Sequence, residues 1–235
     1  MVWPFTLEFR RRWYLRRVPP GPLADYLAAP FPDPATNYRQ ADFLAVDLET
    51  TGLDSKKDHI LSFGYLNLHG DHLDLASARH RLVHTKQAIP EASAVIHQIT
   101  DDQAATGAPL EDVLTEFLIA LKGKVLLAHH SLIEEAFIDL ACRRLFGGPL
   151  LAPIVDTQAI ALRHFQQRQI PFKGKDLRLH ALGARYNLPR YGAHNALSDA
   201  LAAGELFLAQ AAHRDAGQGV PLLLVQPLDK SGQPK

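Results

Sequence analysis

The segment Phe43-Leu44-Ala45-Val46-Asp47-Leu48-Glu49-Thr50-Thr51-Gly52-Leu53 decides how the rest of the chain is read. An apolar run ends in two carboxylates two positions apart, and a glycine-bearing turn follows. On a strand the side-chain period is two, so Asp47 and Glu49 point to the same face. Two like charges this close repel, and the apolar surroundings aggravate the repulsion. A hard cation between them, such as Mg²⁺, removes that penalty. A strand end running into solvent, with both acids hydrated, explains the pair equally well on its own. Gly52 allows a sharp turn, or the close approach of a ligand to the backbone beside the Thr50 and Thr51 hydroxyls.

Outward from this strand the pattern alternates. Ile60–Leu68 and His72–Val83 read as strands joined by a hairpin at His69-Gly70-Asp71. Leu110, Val113, Leu114, Phe117, Leu118 and Leu121 keep the 3.6-residue period of an amphipathic helix. Lys124–Ala128 and Ile154–Asp156 are short strands, and each precedes a helix (132–146 and 157–168). Gly147-Gly148-Pro149 stops the first of these helices. Residues 169–176 read as a polar loop, and helices over 177–187 and 195–213 complete the pattern. A hairpin followed by strand–helix units predicts an α/β domain with a mixed sheet flanked by helices. That domain covers 41–212. Residues 1–40 form a basic, proline-rich extension, with a short helix expected between Trp3 and Arg17. The six prolines from Pro19 to Pro34 argue against a continuous helix there. Residues 213–235 form a loose or docking tail.

Two further clusters carry candidate chemistry. His194-Asn195-Ala196-Leu197-Ser198-Asp199 opens the last helix and sets a histidine just ahead of a carboxylate in the first turns. A histidine there suits a proton acceptor from water. A capping Asn195 and an acid near a helix N-terminus explain the same residues without chemistry. In His129-His130-Ser131-Leu132-Ile133-Glu134-Glu135-Ala136-Phe137, Ser131 and Glu134 have the spacing of a capping box. Taken alone, each cluster has a structural explanation. Together they set three acidic segments in one chain, each at a strand end or a helix start.

This order resembles the DEDDh (DnaQ-like) exonucleases. Asp47-Leu-Glu49-Thr-Thr-Gly-Leu is similar to the family's first motif almost letter for letter, and His129-His130-Ser131-x-Ile133-Glu134-x-x-Phe137 to its second. Asp156-Thr157 matches the pair that often follows. His194-Asn195-Ala196-Leu197-x-Asp199-Ala200 is similar to the third motif in its histidine form. Val95-Ile96-His97-Gln98-Ile99-Thr100 resembles a Val-His-Gly-Ile-Thr segment near the bound nucleotide. Three departures stand out: Glu134 where the family usually has Asp, His130 for Asn, and Gln98 for Gly.

The resemblance implies a ribonuclease-H-like fold with a mixed five-stranded sheet. It also implies metal-dependent 3′→5′ hydrolysis at nucleic-acid 3′ ends, of single-stranded DNA above all, releasing nucleoside 5′-monophosphates. Asp47, Glu49, Glu134 and Asp199 would hold two Mg²⁺ or Mn²⁺ ions, with His194 as the base. Thr50, Thr51, Leu53 and His97 would touch the terminal nucleotide. The alternative is a non-catalytic nucleic-acid-binding or polymerase-associated module on the same fold.

Bulk composition limits these readings. A hydrophobic share of 47% against 21% charged supports a packed core rather than disorder. Net charge is zero, with 25 basic and 25 acidic residues, so nucleic acid must be held by a local patch or by metal ions. Five arginines (Arg10, Arg11, Arg12, Arg16, Arg17) face a single acid, Glu8, within 1–17. They either track a nucleic-acid backbone or form a docking arm for a partner protein. The single cysteine, Cys142, allows no internal disulfide and fits a reducing compartment. No apolar run is long enough to span a bilayer. A cytoplasmic protein is expected.

Overall fold

The computed structural model describes residues 6–85, 87–192, 194–214 and 220–222. Helices α1 (Leu7–Leu15) and α2 (Pro22–Ala28) precede strands β1 (Asp42–Thr50), β2 (Ile60–His69) and β3 (His72–Leu82). Helices α3 (Glu91–His97), α4 (Asp101–Ala105) and α5 (Leu110–Leu121) follow. The chain then alternates through β4 (Val125–Ala128), α6 (Leu132–Phe146), β5 (Ile154–Asp156) and α7 (Thr157–Gln167). It ends in α8 (Leu179–Arg185) and α9 (Ala196–Arg214). The sheet order is β3-β2-β1-β4-β5, antiparallel across β3, β2 and β1 and parallel across β1, β4 and β5. This is the expected mixed five-stranded sheet.

The period of two in β1 assigns its residues to two cores. Leu44, Val46 and Leu48 pack with Val113, Phe117, Ile138 and Cys142 of α5 and α6. Phe43 and Ala45 pack on the other side with Ala200, Ala203 and Phe207 of α9. Asp47 and Glu49 continue the Phe43/Ala45 series, so their side chains leave the sheet on the α9 side.

Glycine 64 lets α9 come this close. It lies opposite Asp47 in the β1–β2 register. A Cβ built there would meet the backbone carbonyl carbon of Ala196 and the nitrogen of Leu197 at 2.1 Å. The first turn of α9 therefore rests directly on the sheet beside Asp47.

One local expectation is corrected, that of the capping box in the segment before α6. The proline-rich stretch holds no continuous helix, but the short α2 starts at Pro22, where the missing N–H costs nothing. Its Leu23, Tyr26 and Leu27 are buried in the same core as β1, so packing continues across position 40. The chain after α9 returns to this segment, with the Tyr38 and Leu222 amides donating to the Val220 and Thr36 carbonyls at 2.9 and 3.0 Å. The capping box of Ser131 and Glu134 does not form. The Ser131 hydroxyl bonds Glu135 at 2.8 Å, and Asp156 takes the Ser131 amide at 3.0 Å. Of the helix expected between Trp3 and Arg17, the part from Leu7 is present and Trp3 lies outside the described residues. Among the described residues no helix is long and apolar enough to cross a membrane.

Candidate active site

The C-terminal end of β1 and the N-termini of α6 and α9 meet at one end of the sheet. One ligand oxygen from each of Asp47, Glu49 and Asp199 lies within 4.8 Å of the other two. Glu134 stands outside this tight trio, yet it is buried, and among neighbouring charges its own acts first on Asp47. The side chain at 134 therefore turns into the molecule and towards β1.

Four acids in so little solvent resist ionisation. Burial, then the charges of Glu134, Asp199 and Glu49, holds the Asp47 carboxyl well above the usual range. Burial pushes Glu49 up to about 7, with Asp199 adding to the effect. Burial pushes Glu134 up to about 8, with Asp156 and Glu135 adding to it. Asp199 is raised by burial too, although the His194 amide opposes this by donating to its Oδ2 at 2.9 Å. Glu49 Oε1, Glu134 Oε2 and Asp199 Oδ1 are buried and accept no hydrogen bond. Buried polar atoms are normally satisfied. The close set of Asp47, Glu49 and Asp199, with unpaired oxygens on Glu49 and Asp199 and a further one on buried Glu134, is a donor set suited to hard divalent cations, so the residues present fit the metal ions that the resemblance implies.

Asp156 explains how α6 is aimed. One carboxylate oxygen accepts from the His130, Gln158 and Ala159 amides, and the other from Ser131. It thus caps α7 and clamps the turn between β4 and α6. With Ser131 held by Asp156 and Glu135, the Glu134 carboxylate is left for the site. His129 braces the same corner. Its Nδ1 meets Thr157 Oγ1 at 2.8 Å and its Nε2 meets the Leu177 carbonyl at 3.0 Å.

The remaining candidates divide. His194 is exposed at the rim, with a left-handed backbone (φ 64°), and its charge acts on both His97 and Asp199. Asn195 caps α9 by accepting from the Ser198 amide at 3.1 Å, so the capping explanation and the rim placement of His194 hold together. Leu53 is 78% exposed on the turn after β1. The Thr50 hydroxyl is committed to the Gly52 carbonyl at 2.6 Å, and Thr51 Oγ1 accepts from the His59 amide at 2.9 Å. His97 is buried, with Nδ1 accepting from Ile99 N–H at 3.0 Å and Nε2 meeting Ser93 Oγ at 2.9 Å. Ser93 in turn donates to the Thr50 carbonyl at 3.0 Å, tying α3 to the turn after β1.

Four residues of this region were not singled out in the sequence: Gly64, Ser93, Ser62 and His180. Ser62 lies opposite Glu49 in the register and is fully buried, its hydroxyl without a partner. His180 Nε2 stands 3.9 Å from Asp199 Oδ1. A lone glycine inside a strand signals close backbone approach, which could have pointed to Gly64. No local pattern marks the other three.

Fold and site together define a class: an exonuclease of the DEDDh (DnaQ-like) type on a ribonuclease-H-like fold. The exonuclease family model named for RNase T matches residues 44–207, and the chain belongs to that family of 3′→5′ exonucleases. The DNA polymerase III epsilon subunit of Treponema pallidum is 31% identical over 172 residues, covering 73% of this chain and 77% of the relative. The PolC-type DNA polymerase III of Thermotoga maritima is 27% identical over 173 residues, but the match covers only 12% of that protein. Among solved structures, a zinc-bound complex of Escherichia coli exonuclease I with single-stranded DNA superposes with a TM-score of 0.65 at 14% identity. It covers 74% of this chain and 41% of that one. Exonuclease X in complex with 5′-overhanging duplex DNA gives 0.58 at 18% identity, covering 78% and 97%. At these identities the solved structures speak to fold alone.

Proposed function

We propose that this exonuclease is metal-dependent and removes nucleotides from the 3′ ends of single-stranded DNA as nucleoside 5′-monophosphates. The observation that carries the reading is the convergence of carboxylates from β1 and α9, with unpaired buried oxygens on Glu49 and Asp199, and the buried, unpaired Glu134 of α6 acting on Asp47. Asp47, Glu49, Glu134 and Asp199 would hold two ions, Mg²⁺ or Mn²⁺. When bound, these acidify the attacking water and neutralise the leaving 3′ oxygen.

The chain's own residues supply the rest. Asp199 works twice: one of its oxygens joins Asp47 and Glu49 in the acidic trio, and Oδ2 fixes the backbone of His194. That anchor holds the imidazole at the rim, where it takes the proton from the attacking water. Leu53 offers an apolar face to the terminal base. The turn made by Thr50 and Thr51, fixed through Ser93 and His97, shapes the sugar site. The preference for DNA rests on the likeness to the epsilon subunit of a DNA polymerase III. An acidic site repels phosphates until cations arrive, so the neutral chain does not count against a substrate gripped at its end.

The test is degradation of uniformly labelled single-stranded DNA, duplex DNA, RNA and dinucleotides with Mg²⁺, Mn²⁺ or EDTA. Cutting should require the cation and yield monophosphates. Asp199→Ala should lose at least about 10²–10³-fold in turnover, as when one preorganised charge-stabilising group is removed. His194→Ala should lower kcat far more than it weakens nucleotide binding. Full activity in EDTA, or wild-type cutting by the Asp199 variant, would sink the scheme.

A further inference from the structure

Besides metal ions at its acidic end, a neutral chain can hold a polyanion through a local patch of cations. Between 157 and 190 there are seven lysines and arginines against one acid, Asp176. The fold gathers Arg163, Arg168 and Arg185, with Arg214 from the end of α9, around His164 on the face made by α7, α8 and α9, and Lys173 and Lys175 stand on the adjoining 168–178 loop. Arg168, Arg185 and Arg214 all act on the ring of His164, together with His213, and Arg214 acts on Arg163. Arg168, Arg185 and Arg214 are exposed, as are Lys173 and Lys175.

Aromatic rings are interleaved with these charges. The His164 and His213 centroids are 6.2 Å apart, and Tyr186 lies 6.0 Å from His213. Phe172, 38% exposed on the loop, packs 5.6 Å from Phe165, and the Arg185 guanidinium sits 4.7 Å over the Phe165 ring. Cations that follow a backbone plus rings that accept stacked bases make up a single-strand platform.

The face is continuous with the site. Its loop returns to the site corner where Leu177 accepts from His129, and His180 of α8 stands 3.9 Å from Asp199. Asp199 and Arg214 lie near opposite ends of α9, so the face extends roughly 20 Å from the acids at about 1.5 Å per helical residue. The N-terminal arginines are placed differently. Helix α1 joins α2 on the α5/α6 side of the sheet, Arg11 is buried against Glu8 and Leu27, and Arg12 is paired with Glu8.

We propose that this basic and aromatic face of α7–α9 binds the single-stranded segment upstream of the 3′ end being cut. The proposal rests on the reading of the acidic site as the cutting centre. It also assigns the local patch to α7–α9 rather than to the N-terminal arm.

The test is equilibrium binding of a fluorescent oligothymidylate of about 20 nucleotides in EDTA, a length within reach of such platforms. The triple variant Arg168→Glu, Lys173→Glu, Lys175→Glu should weaken binding by ten-fold or more. It should also flatten the log–log salt slope by about 2, three phosphate contacts at about 0.7 each. In Mg²⁺ its KM for that oligonucleotide should rise relative to its KM for a dinucleotide. A charge-matched control, Arg10→Glu, Arg12→Glu, Arg16→Glu, should weaken binding by less than about three-fold, because it changes net charge without touching the face. Equal losses from the two triples, or no loss from the first, would overturn the proposal. Because binding is read without metal, patch-dependent binding by a chain that never cuts would sink the catalytic reading and leave this one standing.

Discussion

Three residues at the rim of the acidic site adopt the left-handed backbone that side chains avoid: Gln98 (φ 58°), His130 (φ 65°) and His194 (φ 64°). Two are pinned by an aspartate, His130 N–H by Asp156 and His194 N–H by Asp199. Strain held in place by surrounding bonds is a common property of active sites. Gln98 and His130 are also two of the chain's departures from its family's motifs, where Gly and Asn are usual. Glycine and asparagine are the residues that enter this region most easily. These two departures thus fall where backbone geometry, not chemistry, set the usual residue. Gln98 has no aspartate clamp and ends α3, so Gln98→Gly should stabilise the protein. Relief of about 1–2 kcal/mol of left-handed strain exceeds the extra chain entropy of glycine, about 0.5–1 kcal/mol. A gain of up to about 1 kcal/mol in urea unfolding is expected on those terms. A loss would mean that the Gln98 side chain contributes more than its backbone costs.

Between elements, the contact that makes the site is α9 against β2. Gly64→Ala forces a methyl into the backbone of Ala196 and Leu197, which cannot swing aside as a side chain would. Overpacking of this kind costs about 1–3 kcal/mol. Because α9 carries Asp199, its first turn should shift and nuclease turnover should drop by ten-fold or more, out of proportion to the loss of stability. Gly204→Ala is the comparison. Its new methyl meets the tip of Leu73 at 2.9 Å, a side chain that can move, so activity should be retained. If Gly64→Ala keeps full turnover, the placement of Asp199 does not depend on this contact. The same interface separates what the sequence discloses from what it hides. The strand of Asp47 and Glu49 and the helix of Leu110 to Leu121 follow from spacing alone, since burial on one face leaves a period. The release of Glu134 from Ser131 does not, because Asp156, distant in sequence, captures the Ser131 amide. Helix α2 was hidden by its prolines, yet Pro22 occupies the one turn that tolerates it. The α7–α9 cations are spread from Arg163 to Arg214 and become a face only when three helices pack.

Across the whole molecule, the acids and the histidines titrate in opposing directions, which gives a measurable signature. The folded-state pKa values of Glu49 and Glu134 are raised, to about 7 and about 8. Such groups stabilise the fold fully below their unfolded values, near 4.5, and lose that contribution as pH rises through 7 and 8. Burial lowers His129 to about 4, so its neutral form favours the fold above the unfolded value near 6.5 and is penalised as pH falls through 6.5 towards 4. The two effects overlap between pH 4.5 and 6.5, while above 6.5 the carboxylates act alone. The metal-free protein should therefore lose several degrees of thermal midpoint between about pH 6.5 and 8.5, as like charges are forced together. Excess Mg²⁺ or Mn²⁺ should remove that slope, because a cation bound only by the folded state stabilises the ionised acids, and does so more strongly as pH rises. Asp47→Asn should raise the metal-free midpoint at pH 8 by removing one repelling charge, and should also diminish the shift that Mn²⁺ produces. A metal-free midpoint that is flat over this range, in a variant-insensitive way, would mean that the four carboxylates do not share one buried site in solution.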